Sequence, residues 1–216
     1  MLAVVSGATD AIGFLGLGGV FTSVMTGNMV LLGVGAGTGD WSLVTHAGLA
    51  IAAFVFGCVV GARTAGTARA GDPIWPAAVT RALAIELAVL VLFAIGWEAA
   101  GGHPRVDSVQ LALLALDAVA LGIQSSTTQR FGVSGLSTTY LTGTLTGVVI
   151  RLASDGSVRA AARSLEILTA LIAGAVVGGA LTVEAPRCAP LVQLLGVGGV
   201  VGATSLRRRR ARRRAA

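Results

Sequence analysis

The sequence predicts an all-α integral membrane protein, with six transmembrane helices arranged as two inverted three-helix repeats. Three observations carry that expectation. The 216-residue chain is 54% hydrophobic and only 12% charged, whereas globular domains carry about 25% charged residues. Its mean hydropathy is +0.83, and six apolar runs approach or exceed the ~20 residues that carry a helix across a bilayer. Blocks of sequence from the first half also recur, in order, in the second.

The six runs are Leu2–Ala36, Leu43–Ala62, Ala77–Trp97, Ser108–Ile150, Ser164–Val183 and Ala189–Leu206. Short connections bearing Gly, Pro, Asp or Arg separate them, as expected of membrane loops. The first and fourth runs are too long for one straight crossing, and Arg130 interrupts the fourth. Each is therefore expected to be a broken helix or a crossing followed by a re-entrant element, Phe21–Gly35 in one half and Phe131–Ile150 in the other. Either way the backbone is expected to unwind at "MTGN" and "LTGT". The opening is not expected to be a signal peptide, because it lacks a basic start and its apolar run carries Asp10.

Arg placement sets the expected orientation. Arg63, Arg69 and Arg81 follow the second run; Arg151, Arg159 and Arg163 follow the fourth. The other connections hold no Arg in "GTGDW", only Arg105 in "EAAGGHPRVD" and only Arg187 in "EAPRC". Six crossings with cytoplasmic N- and C-termini satisfy this bias, whereas eight would put Arg63 and Arg69 outside. All 16 basic residues are Arg, and seven stand in "RRRRARRR", Arg207–Arg214. The remaining nine face ten acids, so the basic character belongs to the tail. The expected organisation is one transmembrane domain over 1–206 (repeats about 1–98 and 108–206) and an Arg-rich cytoplasmic tail, 207–216, lying on anionic lipid. No nucleic-acid partner is expected, and a homo-oligomer is left open.

The repeat is read from three blocks. "DAIGFLGLGG" from Asp10 is set against "DAVALGIQSS" from Asp117, "TSVMTGNMV" against "TTYLTGTLT", and "FGCVVG" against "AGAVVG". Three crossings per copy make the second copy enter from the opposite face, and such inverted halves often hold a solute between them near the midplane.

Candidate site residues follow. Asp10 and Asp117 stand in matching positions in this alignment, Asp117 halfway along its span. A carboxylate at the bilayer centre costs roughly 2.5–3.5 kcal/mol, so each needs a compensating partner. Either they bind a cation or relay a proton, or each accepts hydrogen bonds from the unwound backbone and Thr hydroxyls of its own half. Thr22, Thr26, Gly27 and Asn28, with Thr138, Thr142, Gly143 and Thr144, are the expected substrate or ion contacts beside the breaks. They equally could serve only the breaks' own backbone. Gly57, Gly61, Gly174 and Gly178 form small-xxx-small faces for close helix packing.

Glu86 with Arg81 and Glu166 with Arg163 are expected as interfacial ion pairs. His46 is expected to open its helix at the outer surface, and His103 to lie in a loop. Cys58 and Cys188 suggest neither a metal site nor a disulfide framework. No cofactor and no enzymatic chemistry are expected. "GVSG" at Gly132–Gly135 has the shape of an intramembrane serine-protease motif, yet no His follows His103 to activate Ser134.

The stretch "SGATDAIGFLGLGGVFTSVMTGNMVLLG" resembles the opening signature of the YoaK-like (DUF1275) family of uncharacterised bacterial multi-pass membrane proteins. Asp10, Ala11, Phe21, Thr26, Gly27 and Asn28 carry the match, and the likeness extends over nearly the whole chain up to the Arg tail. Family members usually have a basic stretch before the first helix, which implies a start truncated or misassigned here. The resemblance implies a bacterial inner-membrane location and brings no activity or site. The leading functional expectation is a small-solute or ion transporter or channel with a midplane site between the repeats. The alternative is a non-transporting scaffold or sensor subunit.

Overall fold

A computed structural model describes residues 1–67, 75–130, 141–155 and 158–215, and every regular element in them is helical. The helices are α1 (Leu2–Gly16), α2 (Met25–Thr38), α3 (Trp41–Ala65), α4 (Ala77–Ala99), α5 (Asp107–Gln129), α6 (Leu141–Asp155), α7 (Val158–Glu184) and α8 (Pro190–Ala215). A 3-10 turn, Pro186–Cys188, joins the last two. Among the described residues, five helices are long and apolar enough to cross a membrane: α3, α4, α5, and those spanning Ala162–Glu184 and Pro186–Leu206. The chain is an all-α membrane protein.

Each long apolar run divides into two helices, and the first break is not where its polar residues suggested. "MTGN" is the first turn of α2, and "LTGT" opens α6. The break is Leu17–Val24, where Gly18 and Gly19 take φ of +92° and +74°. Those angles suit glycine and end α1. The imidazole of His46 fills the space a Gly18 side chain would need, its Cδ2 lying 2.3 Å from an added Cβ. His46 is therefore buried in the second turn of α3, with Nδ1 2.8 Å from Ser42 O, rather than opening the helix at the surface.

After α1 the chain doubles back along it, since Gly13 faces Val20 O and the Thr22 methyl. Met25 then starts α2 in the cluster holding Ala53 and Phe54, halfway along α3. α2 returns to the end it came from, where Gly39 (φ +76°) stops it. Asp40 immediately caps α3 by accepting from Leu43 N–H at 3.0 Å. The end of α1, the starts of α3, α5 and α8 and the end of α4 share one core: Leu17, Ala47, Phe93, Trp97, Leu113 and Ala189. Trp97 Nε1 donates 2.7 Å to Pro186 O at that end. At the opposite end Arg130 Nη1 donates to Ala65 O, tying α5 to α3.

Reciprocal glycine contacts hold two helix pairs of the bundle. On α3 against α5, a Cβ at Gly57 would stand 2.2 Å from Val119 O, and one at Gly122 2.2 Å from Phe54 O. On α7 against α1, a Cβ at Gly174 would stand 2.1 Å from Val4 O, and one at Gly7 2.0 Å from Leu171 O. Gly61 meets Ile123 as Gly178 meets Ala8. The four packing glycines read from sequence thus touch partner backbone.

These contacts also fix a register. Gly57 matches Gly174, so Val119 matches Val4, Gly122 matches Gly7 and Ile123 matches Ala8. Continued along the helices, this sets Thr9 against Gln124 and Asp10 against Ser125. Asp10 and Asp117 are therefore not structural counterparts, although the shared Asp-Ala suggested it. α8 continues through the Arg run to Ala215.

Candidate functional site

Asp10 sits on the inner face of α1 and binds the break. Its Oδ1 accepts from Thr22 N–H (2.9 Å), Ser23 N–H (2.8 Å) and the Thr22 hydroxyl (3.2 Å); its Oδ2 accepts from the Ser23 hydroxyl at 2.6 Å. These amides lie just ahead of α2, so the carboxylate also faces the positive end of that helix. Asn28 completes the join: its Oδ1 accepts from Phe21 N–H at 2.9 Å, and its Nδ2 donates to Phe21 O at 2.6 Å. The polar residues of "FTSVMTGN" thus mostly satisfy one another. Thr26 points outward and is exposed, and Gly27 lies under the Phe21 ring.

In the second half, Gly143 is exposed and Thr144 half-buried. Thr138 lies outside the described residues, as does the side chain of Thr142.

Asp117 instead meets residues from other helices. Gln193 on α8 donates from Nε2 both to Asp117 Oδ1 (3.0 Å) and to Thr9 Oγ1 (3.0 Å). Thr9 in turn donates to Val5 O at 2.7 Å. On the same side of α5, Gln124 Nε2 donates 3.3 Å to Ser6 Oγ and reaches Leu2 O at 3.5 Å. Ser6 and Thr9 of α1, Asp117 and Gln124 of α5 and Gln193 of α8 form one buried polar seam. Asp10 adjoins it, within electrostatic reach of Asp117.

The seam's free groups are oxygens. Asp117 Oδ2, Gln124 Oε1 and Gln193 Oε1 are buried without a hydrogen-bond partner among the described residues; outside the seam the same holds for Thr127 Oγ1 and both oxygens of Glu86. Glu86 is not paired with Arg81. It is fully buried, while Arg81 is exposed. Five residues apart on a helix is not a facing spacing, unlike three or four. An open cleft between Ala100 and Val109, lined by His103 and Arg105, lies at the α4–α5 turn, away from this seam.

Sequence reasoning missed Ser6, Thr9, Gln124 and Gln193. Gln193 had a signal: it interrupts the uncharged run "PLVQLLGVGG". Replacing it with Leu would strand Asp117 Oδ1 and leave Thr9 Oγ1 with only its bond to Val5 O, a loss of about 1–3 kcal/mol. A lowered melting temperature of Gln193→Leu in detergent is the expected result, and an unchanged one would remove Gln193 from the seam.

The sequence pattern of the family described as "Protein of unknown function (DUF1275)" matches residues 1–204. Among curated proteins, the UPF0700 transmembrane protein YoaK of Bacillus subtilis (strain 168) is 36% identical over 149 residues. That match covers 69% of this chain and 63% of the relative, less than two thirds of its length. No solved structure matches the chain.

Proposed function

The chain belongs to the DUF1275 family of membrane proteins, and from that premise we propose that it is a transporter or channel for a small cationic solute or ion. The site lies between two inverted halves of three crossings each, near the midplane. One observation carries this reading: Asp117, at the middle of α5 and fully buried, has one oxygen held by Gln193 and the other free. A buried carboxylate without a neutralising partner is costly, which makes an intramembrane acid a functional site by default. The unpartnered groups around it are oxygens, and among the described residues the side chains that bond the two acids are the uncharged Thr22, Ser23 and Gln193. Such a lining suits a cation and disfavours an anion.

The matched glycine contacts of α1 with α7 and α5 with α3 support two inverted halves. Arg63, Arg81 and Arg130 cluster at the end opposite Trp97 and Pro186, which supports a cytoplasmic location for that end and for both termini. An inner-membrane location is part of the proposal, as is anionic lipid at the Arg-rich end. The reading assigns no catalytic reaction. Asp10, with four donors, favours a structural role for that acid and gives a non-transporting scaffold its best support.

The test is flux of monovalent and divalent cations into liposomes bearing the purified protein. Wild type is expected to pass at least one, and Asp117→Asn to abolish that flux while leaving thermal stability nearly unchanged. Flux that survives Asp117→Asn would sink the site; a wild type that passes none would favour the scaffold.

A further inference from the structure

Glu86 belongs neither to the hydrogen-bonded seam nor to any ion pair found among the described residues. It occupies the buried stripe of α4 with Val79, Ala82, Leu83, Leu90 and Phe93. One turn before it, Ala82 packs in the cluster of Ile123; one turn after, Leu90 packs with Ala118, Leu121 and Val197. The carboxyl is therefore enclosed between α4, α5 and α8, at the level of α5 residues 118–123. An aliphatic side chain would fill this stripe at no electrostatic cost. Among the described residues an ionised carboxylate there would have neither hydrogen bond nor counter-charge, the costliest way to bury a charge, whereas the neutral acid loses far less.

Titratable and charged groups on the elements packed against α4 do not offer a partner. α5 brings Asp107, exposed at its start, and Asp117, whose free oxygen is an acceptor. α3 brings Arg63, exposed at its end, half-buried Cys58 and His46 at the opposite end of the bundle. Between Pro190 and Leu206, α8 has no charged residue.

We propose that Glu86 is a proton-binding site inside the membrane domain, carrying an exchangeable proton as the neutral acid and separate from the Asp117 seam. Its ligand is the proton, and this assignment stands whether or not the protein transports a cation.

The test uses the full chain in liposomes at neutral pH. Dicyclohexylcarbodiimide, which converts a protonated carboxyl in apolar surroundings to a stable N-acylurea, is expected to label the peptide containing Glu86. Label should be lost in Glu86→Gln and retained in Asp117→Asn. Infrared spectra should show an acid carbonyl band that disappears in Glu86→Gln and shifts on transfer to heavy water. That band settles the matter if the reagent fails to reach the site, and wild-type label does so if Glu86→Gln fails to fold. A carboxylate band assigned to Glu86 would overturn the proposal, as would an acid band insensitive to heavy water.

Discussion

Leucine in place of Gly57 is expected to separate α3 from α5 and to leave little folded protein. A Cβ there would already lie 2.2 Å from Val119 O and 2.9 Å from two more atoms of the Val119 backbone. Carbon contacts are optimal near 3.5–4.0 Å, so α5 would have to retreat by more than about 1 Å. It cannot do so alone: Gly122 seats on Phe54 O one turn away, and Arg130 ties the far end of α5 to Ala65. Overpacking a core typically costs about 1–3 kcal/mol and sometimes more, and a clash with backbone belongs at the upper end. Gly174→Leu should be equally severe, because its added Cβ would lie 2.1 Å from Val4 O across the matching interface. Gly33→Leu should be mild, since nothing lies within 4 Å of that position. Size-exclusion recovery after graded heating in detergent would rank the three. If Gly57→Leu and Gly174→Leu differed widely, the two interfaces would not be equivalent.

Those glycine contacts show where the sequence was informative. Apolar runs with charged ends announced α3, α4 and α5, because a bilayer demands length and hydrophobicity that composition displays directly. Glycine pairs four apart announced the packing faces for an equally direct reason: nothing larger fits. The break was harder. Polarity in "MTGN" was equated with unwinding, yet Asn28 and Thr22 serve a helix start, and the angles that end α1 fall at Gly18 and Gly19. The acids misled in another way. A shared Asp-Ala aligned Asp10 with Asp117, whereas packing sets Asp10 against Ser125, and only the fold brings Gln193 to Thr9 and Asp117. Gln193 lies far from both in sequence, so no local pattern could join them.

Asp10→Ala is expected to be the most damaging polar substitution, through the break rather than through any solute. It would strand two buried amide groups and two hydroxyls, those of Thr22 and Ser23, at once. Hydrogen bonds to a charged group contribute about 1.5–3 kcal/mol each. Even with heavy non-additivity, a loss of roughly 3 kcal/mol or more follows, a large part of the ~5–15 kcal/mol that holds a typical domain together. Asn should cost less than Ala. Its Oδ1 can keep the two amides, and the Ser23 hydroxyl can turn round to accept from the new NH₂. Hydrogen exchange read by mass spectrometry over residues 17–24 separates this from a general loss of stability. Protection there should vanish in Asp10→Ala, fall partly in Asp10→Asn and persist in Asp117→Asn, because Asp117 makes no bond to the break. Unchanged protection in Asp10→Ala would mean that the doubled-back segment holds itself in place. The carboxylate would then be free for the cation-binding role that its four donors now oppose.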